Sequence, residues 1–167
     1  MLKIMKGHCP VTAQNDAQMT NQFQLDLCVG NKVEELVVEI IKKKYPTALR
    51  VFGIKEYDIF VPEINKRVEV KSDQKSRITG NYLIEIEMFD KPSALFATTA
   101  DYWCIFNGDD FLWIKPMKIV ECIIFNELRW REVVGRGDTA PKKAYLIKDW
   151  MLRKYGKPCI SSMKQAT

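Results

Sequence analysis

Apolar positions recur at helical spacing first at Val29, Val33, Leu36, Val37, Ile40 and Ile41, and predict a helix. Asn21 with Gln24 resembles a capping box for its start. Lys42, Lys43 and Lys44 suit its negative end, and Pro46 blocks continuation. The expected span is 21–44, after a polar, Met- and Gln-rich leader over 1–20 without periodicity. Gly30 costs this helix about 1 kcal/mol relative to Ala, which suggests that another backbone approaches there.

The pattern then turns strand-like. Tyr57–Val61 and Arg67–Ser72 are β-rich runs joined by a few polar residues, a hairpin signal. Tyr82–Met88 alternates, with Tyr82, Ile84, Ile86 and Met88 on one face and Glu85 and Glu87 on a solvent face. Tyr102–Phe106 and Phe111–Ile114 flank Asn107-Gly108-Asp109-Asp110, a second hairpin. Met117–Leu128 reads as a helix and Arg129–Lys143, with Gly135, Gly137 and Pro141, as a loop. Tyr145–Ile147 is a last strand, followed by a short amphipathic piece to about Tyr155. The pattern describes an α/β or α+β sheet protein.

Composition narrows the chemistry. At 167 residues, 47% hydrophobic and 28% charged, the chain suits one globular domain. No apolar run approaches the ~20 residues of a membrane span, and the N-terminus lacks a signal peptide's apolar core. Five widely spaced cysteines without a CxxC are expected as reduced thiols in a cytoplasmic protein. The only histidine is His8, so catalysis would have to run on carboxylates, lysines or hydroxyls. Residues 129–167 hold 10 Lys and Arg against 3 Asp and Glu, a net +7, while the remainder is net −2. A basic C-terminal segment beside a more acidic body suits a polyanion partner.

The strongest chemical signal is Tyr57-Asp58-Ile59-Phe60 followed by Val68-Glu69-Val70-Lys71. With the turn at Glu63–Lys66, Pro62 faces Arg67, Asp58 faces Lys71 and Phe60 faces Glu69. Asp58, Glu69 and Lys71 then share one face. Two carboxylates among apolar residues repel each other, and burial disfavours both charges. A hard divalent cation, Mg²⁺ or Mn²⁺, relieves that conflict, with the Val70 carbonyl as a further oxygen ligand. Lys71 is placed to hold an attacking water or a phosphate oxygen. Glu34, or its neighbour Glu35, would add a helix carboxylate. A plain Asp58–Lys71 ion pair, worth about 0.2–1 kcal/mol, is the competing structural explanation.

Glu34, Asp58 and Glu69-Val70-Lys71 together resemble the PD-(D/E)xK nuclease superfamily, whose members include restriction endonucleases and Holliday junction resolvases. The resemblance covers residues 26–115, with Tyr57 where the motif's proline would stand. It implies a restriction-endonuclease-like core, a mixed sheet of four to five strands flanked by helices, within a single domain over 21–167. It implies Mg²⁺- or Mn²⁺-dependent hydrolysis of DNA. Asp58 and Glu69 would bind metal, Lys71 would orient the water, and Glu34 would support the site. Thr79-Gly80-Asn81-Tyr82 and Lys91-Pro92-Ser93 look like a phage-type branch, which places the activity in prokaryotic or phage-infected cytoplasm, as an endonuclease of recombination, repair or degradation. Candidate phosphate contacts are Lys75, Arg77, Arg136, Lys142 and Lys143, and a homodimer would let two sites cut two strands. The rival expectation is a non-catalytic nucleic-acid-binding module on the same fold.

Overall fold

The computed structural model describes residues 29–54, 56–135 and 140–160. The expected leader, the Asn21/Gln24 cap, His8, Cys9, Cys28 and Arg136 lie outside the described residues.

Helix α1 is helical over residues 29–42 and buries Val33, Val37, Val38 and Ile41. It stops where the amides of Lys44 and Tyr45 both close on the Ile41 carbonyl. Among the described residues a Cβ placed at Gly30 would meet nothing within 4 Å, so none of their backbone approaches there, contrary to the expectation.

Six strands form a mixed sheet in the order β1 (Leu49–Arg50), β2 (Ile59–Val61), β3 (Lys66–Ser72), β6 (Tyr102–Phe106), β7 (Asp110–Ile114) and β10 (Lys157–Ile160). Among the described residues only β3 and β6 pair in parallel. A parallel pair needs a long crossover, and this one carries helix α2 (Ser76–Thr79), β4 (Asn81–Met88) and β5 (Lys91–Pro92). Strand β4 leaves the first sheet and builds a second, antiparallel one in the order β5, β4, β9 (Lys142–Lys148), β8 (Arg131–Val133). One sheet of four to five strands is thus replaced by two. The expected loop over 129–143 also gives way: its start pairs as β8, and Lys142 and Lys143 belong to β9 rather than to a loop.

Alternation along the strands divides the core. Cys104, Phe106 and Phe111 face α1 together with Ile59, Val61 and Val68. Trp103, Ile105, Leu112 and Ile114 face the other way, against Tyr82, Ile84 and Ile147 of the second sheet and Ile119 and Cys122 of α3 (Pro116–Phe125). Helix α3 ends three residues before the expected Leu128. The Asn126 amide turns back to the Cys122 carbonyl at 2.8 Å, and Glu127 takes a left-handed φ of 50°.

Both hairpins are closed by asparagine. Asn107 Oδ1 accepts the amides of Asp109 and Asp110 at 2.8 and 2.9 Å. In the first hairpin Pro62–Ile64 form a 3₁₀ turn closed by Asn65 in the left-handed region. Strand β10, which the hydrophobic pattern does not announce, lies against β7 through Gly156, where a Cβ would stand 2.6 Å from Leu112 Cδ1 and 2.9 Å from the Trp113 carbonyl.

One ion cluster joins the sheets. Arg153, just after helix α4 (Asp149–Leu152), makes a bidentate pair with Asp110 of β7 at 2.9 and 2.9 Å. Its Nε reaches Asp149 at 2.8 and 2.7 Å, and Nη2 reaches the Tyr82 hydroxyl of β4 at 3.5 Å. These carboxylates hold the Arg153 pKa above its ordinary value. No helix among the described residues is long and apolar enough to cross a membrane. Arg153→Met strands two half-buried carboxylates and should cost about 3 kcal/mol, the low end for a buried pair losing one partner. Thermal denaturation should show a melting point lower by roughly 6–12 °C. An unchanged melting point would mean that the sheets are held together without this cluster.

Candidate active site

The register of the first hairpin is Ile59↔Val68, Phe60↔Arg67 and Val61↔Lys66, two residues away from the expected one. The cause is the turn, which occupies 62–65 instead of 63–66. Continued outward, this register sets Asp58 opposite Glu69, not opposite Lys71. A two-residue slip preserves the faces, whereas a slip of one would have reversed them. Asp58 therefore keeps its company.

Regular pairing of β2 ends at Ile59, and Asp58 takes over from it. Its own amide donates to the Val68 carbonyl at 3.0 Å, and its Oδ2 accepts the Val70 amide at 2.7 Å. The side chain thus satisfies a donor that the shortened strand would leave open. Strand β3 alternates: Val68 and Val70 face α1, so Glu69 and Lys71 face the opposite way. Glu69 is 9% exposed and Lys71 Nζ lies 2.5 Å from its Oε1. The ammonium also sits 5.4 Å above the ring centre of Trp103, which fixes its direction by a cation–π contact.

The helix carboxylate is resolved by its neighbours. Arg50, on β1, pairs with Glu34 in a short contact, with Glu35 at 3.3 Å and with Asn31 at 2.9 Å. The Glu34 side chain is 23% exposed and that of Glu35 is 65%. Glu34 is the one whose charge is felt at the site. Burial pushes its carboxyl up, and Asp58 adds to this while Arg50 opposes it. Burial likewise raises Asp58, against the Val70 hydrogen bond and the charges of Lys71 and Arg50. Burial raises Glu69 as well, with Lys71 opposing and the charges of Asp58 and Glu34 contributing.

Three carboxyls, Lys71 and Arg50 thus form one coupled cluster. Arg50 escaped the sequence reading because no spacing signals an ion pair between a helix and a two-residue strand. Its Nε is buried without a hydrogen-bond partner among the described residues.

Beside the cluster lies a cleft of about 710 Å³. Lys71, Ser72 and Trp103 line it from the first sheet, and Leu83, Lys142 and Leu146 from the second. Of the expected phosphate contacts, Lys75 and Lys142 reach this cleft. Arg77 is instead turned to Asp109 at 3.0 Å. Lys143 pairs with Glu87 at 2.5 Å and covers Trp130. Glu85 and Glu87, expected on a solvent face, are half-buried partners of Lys142 and Lys143.

The donors available near Val70 are hard oxygens: Asp58 Oδ1 and Glu69 Oε2 carry no hydrogen bond among the described residues. That chemistry fits Mg²⁺ or Mn²⁺. Among the described residues no three His, Cys, Asp or Glu side chains stand close enough together to ligate an ion by themselves. A metal here would take two side chains and complete its shell with the Val70 carbonyl, water and substrate. Comparison with protein-family models, with curated proteins and with solved structures finds no match.

Because burial raises the Asp58 carboxyl, the folded state favours its neutral form. Stability is therefore lost as pH rises from the ordinary aspartate range through the higher folded-state value. Asp58→Asn keeps an acceptor for the Val70 amide and removes the charge. In metal-free buffer at neutral pH it should be more stable than wild type by on the order of 1 kcal/mol. The difference should close in acid, below the ordinary aspartate range. Denaturant titrations across pH test this, and a wild type more stable than the variant at neutral pH contradicts it.

Proposed function

We propose that this chain is a Mg²⁺- or Mn²⁺-dependent nuclease that hydrolyses DNA phosphodiester bonds, an endonuclease of phage or prokaryotic recombination, repair or degradation. The observation that carries this reading is the convergence of Asp58, Glu69 and Lys71 where β2 gives out beside β3, with Lys71 Nζ 2.5 Å from Glu69. Such a cluster, with Lys71 on the cleft and both carboxyls raised by burial, is costly as mere structure.

Asp58 and Glu69 would hold the metal with the Val70 carbonyl. Bound there, the ion would acidify a water and neutralise charge building on the phosphate. The hydrogen bond from the Val70 amide fixes Asp58 Oδ2 and leaves Oδ1 directed elsewhere. Lys71, released from Glu69 Oε1, donates to the attacking water or to a non-bridging phosphate oxygen. Trp103 beneath it restricts where the ammonium can go. Arg50 pairs with Glu34, whose charge acts on Glu69 and would add to the field around the metal. Lys75 and Lys142 stand on the cleft as phosphate contacts.

The test is cleavage of linear, circular, flapped and four-way-junction DNA in Mg²⁺ or Mn²⁺. Wild type should cut at least one of them, and chelation should stop it. Glu69→Gln and Lys71→Ala should each lower the rate by about 10²–10⁴-fold while circular dichroism stays unchanged. DNA binding without cleavage of any substrate would instead identify a binding module.

A further inference from the structure

The cleft lining mixes two chemistries. Lys71 and Lys142 bring positive charge from the two sheets, Lys71 held by Glu69 at 2.5 Å and Lys142 by Glu85 at 3.3 Å. On the same lining stand three exposed aliphatic side chains: Val29 at 37%, Leu83 at 37% and Leu146 at 42%. Leu83 and Leu146 are direct cross-strand partners, so they form one continuous apolar strip on the second sheet.

A double helix presents sugars and phosphates on its outside and keeps its bases stacked within. Lysines alone would serve to hold it. Exposed aliphatic surface beside lysines suits a ligand with both anionic groups and flat apolar faces. An unpaired strand is such a ligand, since sites for single strands combine positive charge with side chains that cover the base faces. Size points the same way. About 710 Å³ falls within the ~300–1,000 Å³ of a pocket for one small molecule. A duplex, its bases paired and stacked within, offers the apolar strip no base face.

We infer that the cleft takes an unpaired stretch of DNA, its bases against Leu83 and Leu146 and its phosphates on Lys142 and Lys71. The substrate class would then be a single strand, a flap or a frayed end rather than intact duplex. The cutting of that strand rests on the nuclease reading, but its binding does not.

Fluorescence anisotropy in EDTA separates the two. The probes are a labelled oligo-dT and a blunt hairpin duplex, both bound by the full chain. The oligo-dT should bind about tenfold tighter or better. Leu146→Glu, at an exposed position where the fold tolerates it, should weaken oligo-dT binding about tenfold and leave the hairpin unaffected. Lys142→Ala should weaken it several-fold and lower the salt slope by about one phosphate contact. Equal or tighter binding of the hairpin overturns the inference, as does unchanged oligo-dT binding by the two variants. If oligo-dT binds as expected and no DNA is cut in Mg²⁺ or Mn²⁺, the nuclease reading fails and the cleft assignment stands.

Discussion

Strand β3 must bury charge, and the surrounding architecture accommodates that. It lies between β2 and β6, so both of its edges are paired, and its side chains divide strictly by period two. Val68 and Val70 supply the α1 core. Glu69 and Lys71 are thereby forced to the opposite face, where Trp103, Ile105 and Leu112 build the second core. Two ionised groups inside that core would be expensive even when paired. The chain avoids this by ending the cover early. After Ser72 the backbone turns through α2, and β4 departs into another sheet. The cleft is what that departure leaves open beside Lys71.

A sheet that splits needs something to hold its parts together. Hydrophobic contact supplies most of this through Trp103, Tyr82 and Ile147, all nearly free of solvent. Direction comes from Arg153, whose planar fork binds Asp110 of the first sheet while its other edge meets Asp149 and Tyr82. The amide of Asp149 also donates to the Gly80 carbonyl, which ties the start of α4 to the start of β4. Of the clamp's members, Tyr82 also lines the cleft.

The sequence was legible where structure is local. Alternation at Tyr82–Met88 and the Asn107–Asp110 turn announced their strands correctly, because the signal sits within a few residues. Partnership was not legible. Nothing in the period of β4 says that it pairs with β9 rather than with β3, and β8 and β10 are short pieces beside glycine that acquire strand form only from their neighbours. The site followed the same rule. Asp58, Glu69 and Lys71 could be grouped despite a wrong register, because the error was an even number of residues. Arg50 could not, since its pairing with Glu34 depends on how α1 crosses a two-residue strand. Lys142 and Lys143 looked like loop cations because Gly135, Gly137 and Pro141 precede them, yet they pair with Glu85 and Glu87 of the neighbouring strand.

The charges of the cluster bear on the proposed chemistry. Fully ionised, Glu34, Asp58 and Glu69 outnumber Arg50 and Lys71 by one, so the site is net negative. Burial is what chiefly lifts these carboxyls, and for Glu34 and Glu69 a neighbouring carboxylate adds to it. A divalent cation reverses the sign and leaves the site one charge positive. One phosphodiester then brings it to neutrality. On this count a metal and a phosphate placed on the cluster would each favour the other's binding there. Under the proposed chemistry, replacing Lys71 by a neutral residue would disturb the balance at the step where negative charge accumulates on the phosphate. Replacing Arg50 disturbs it earlier, by releasing Glu34 from the only cation that holds it among the described residues.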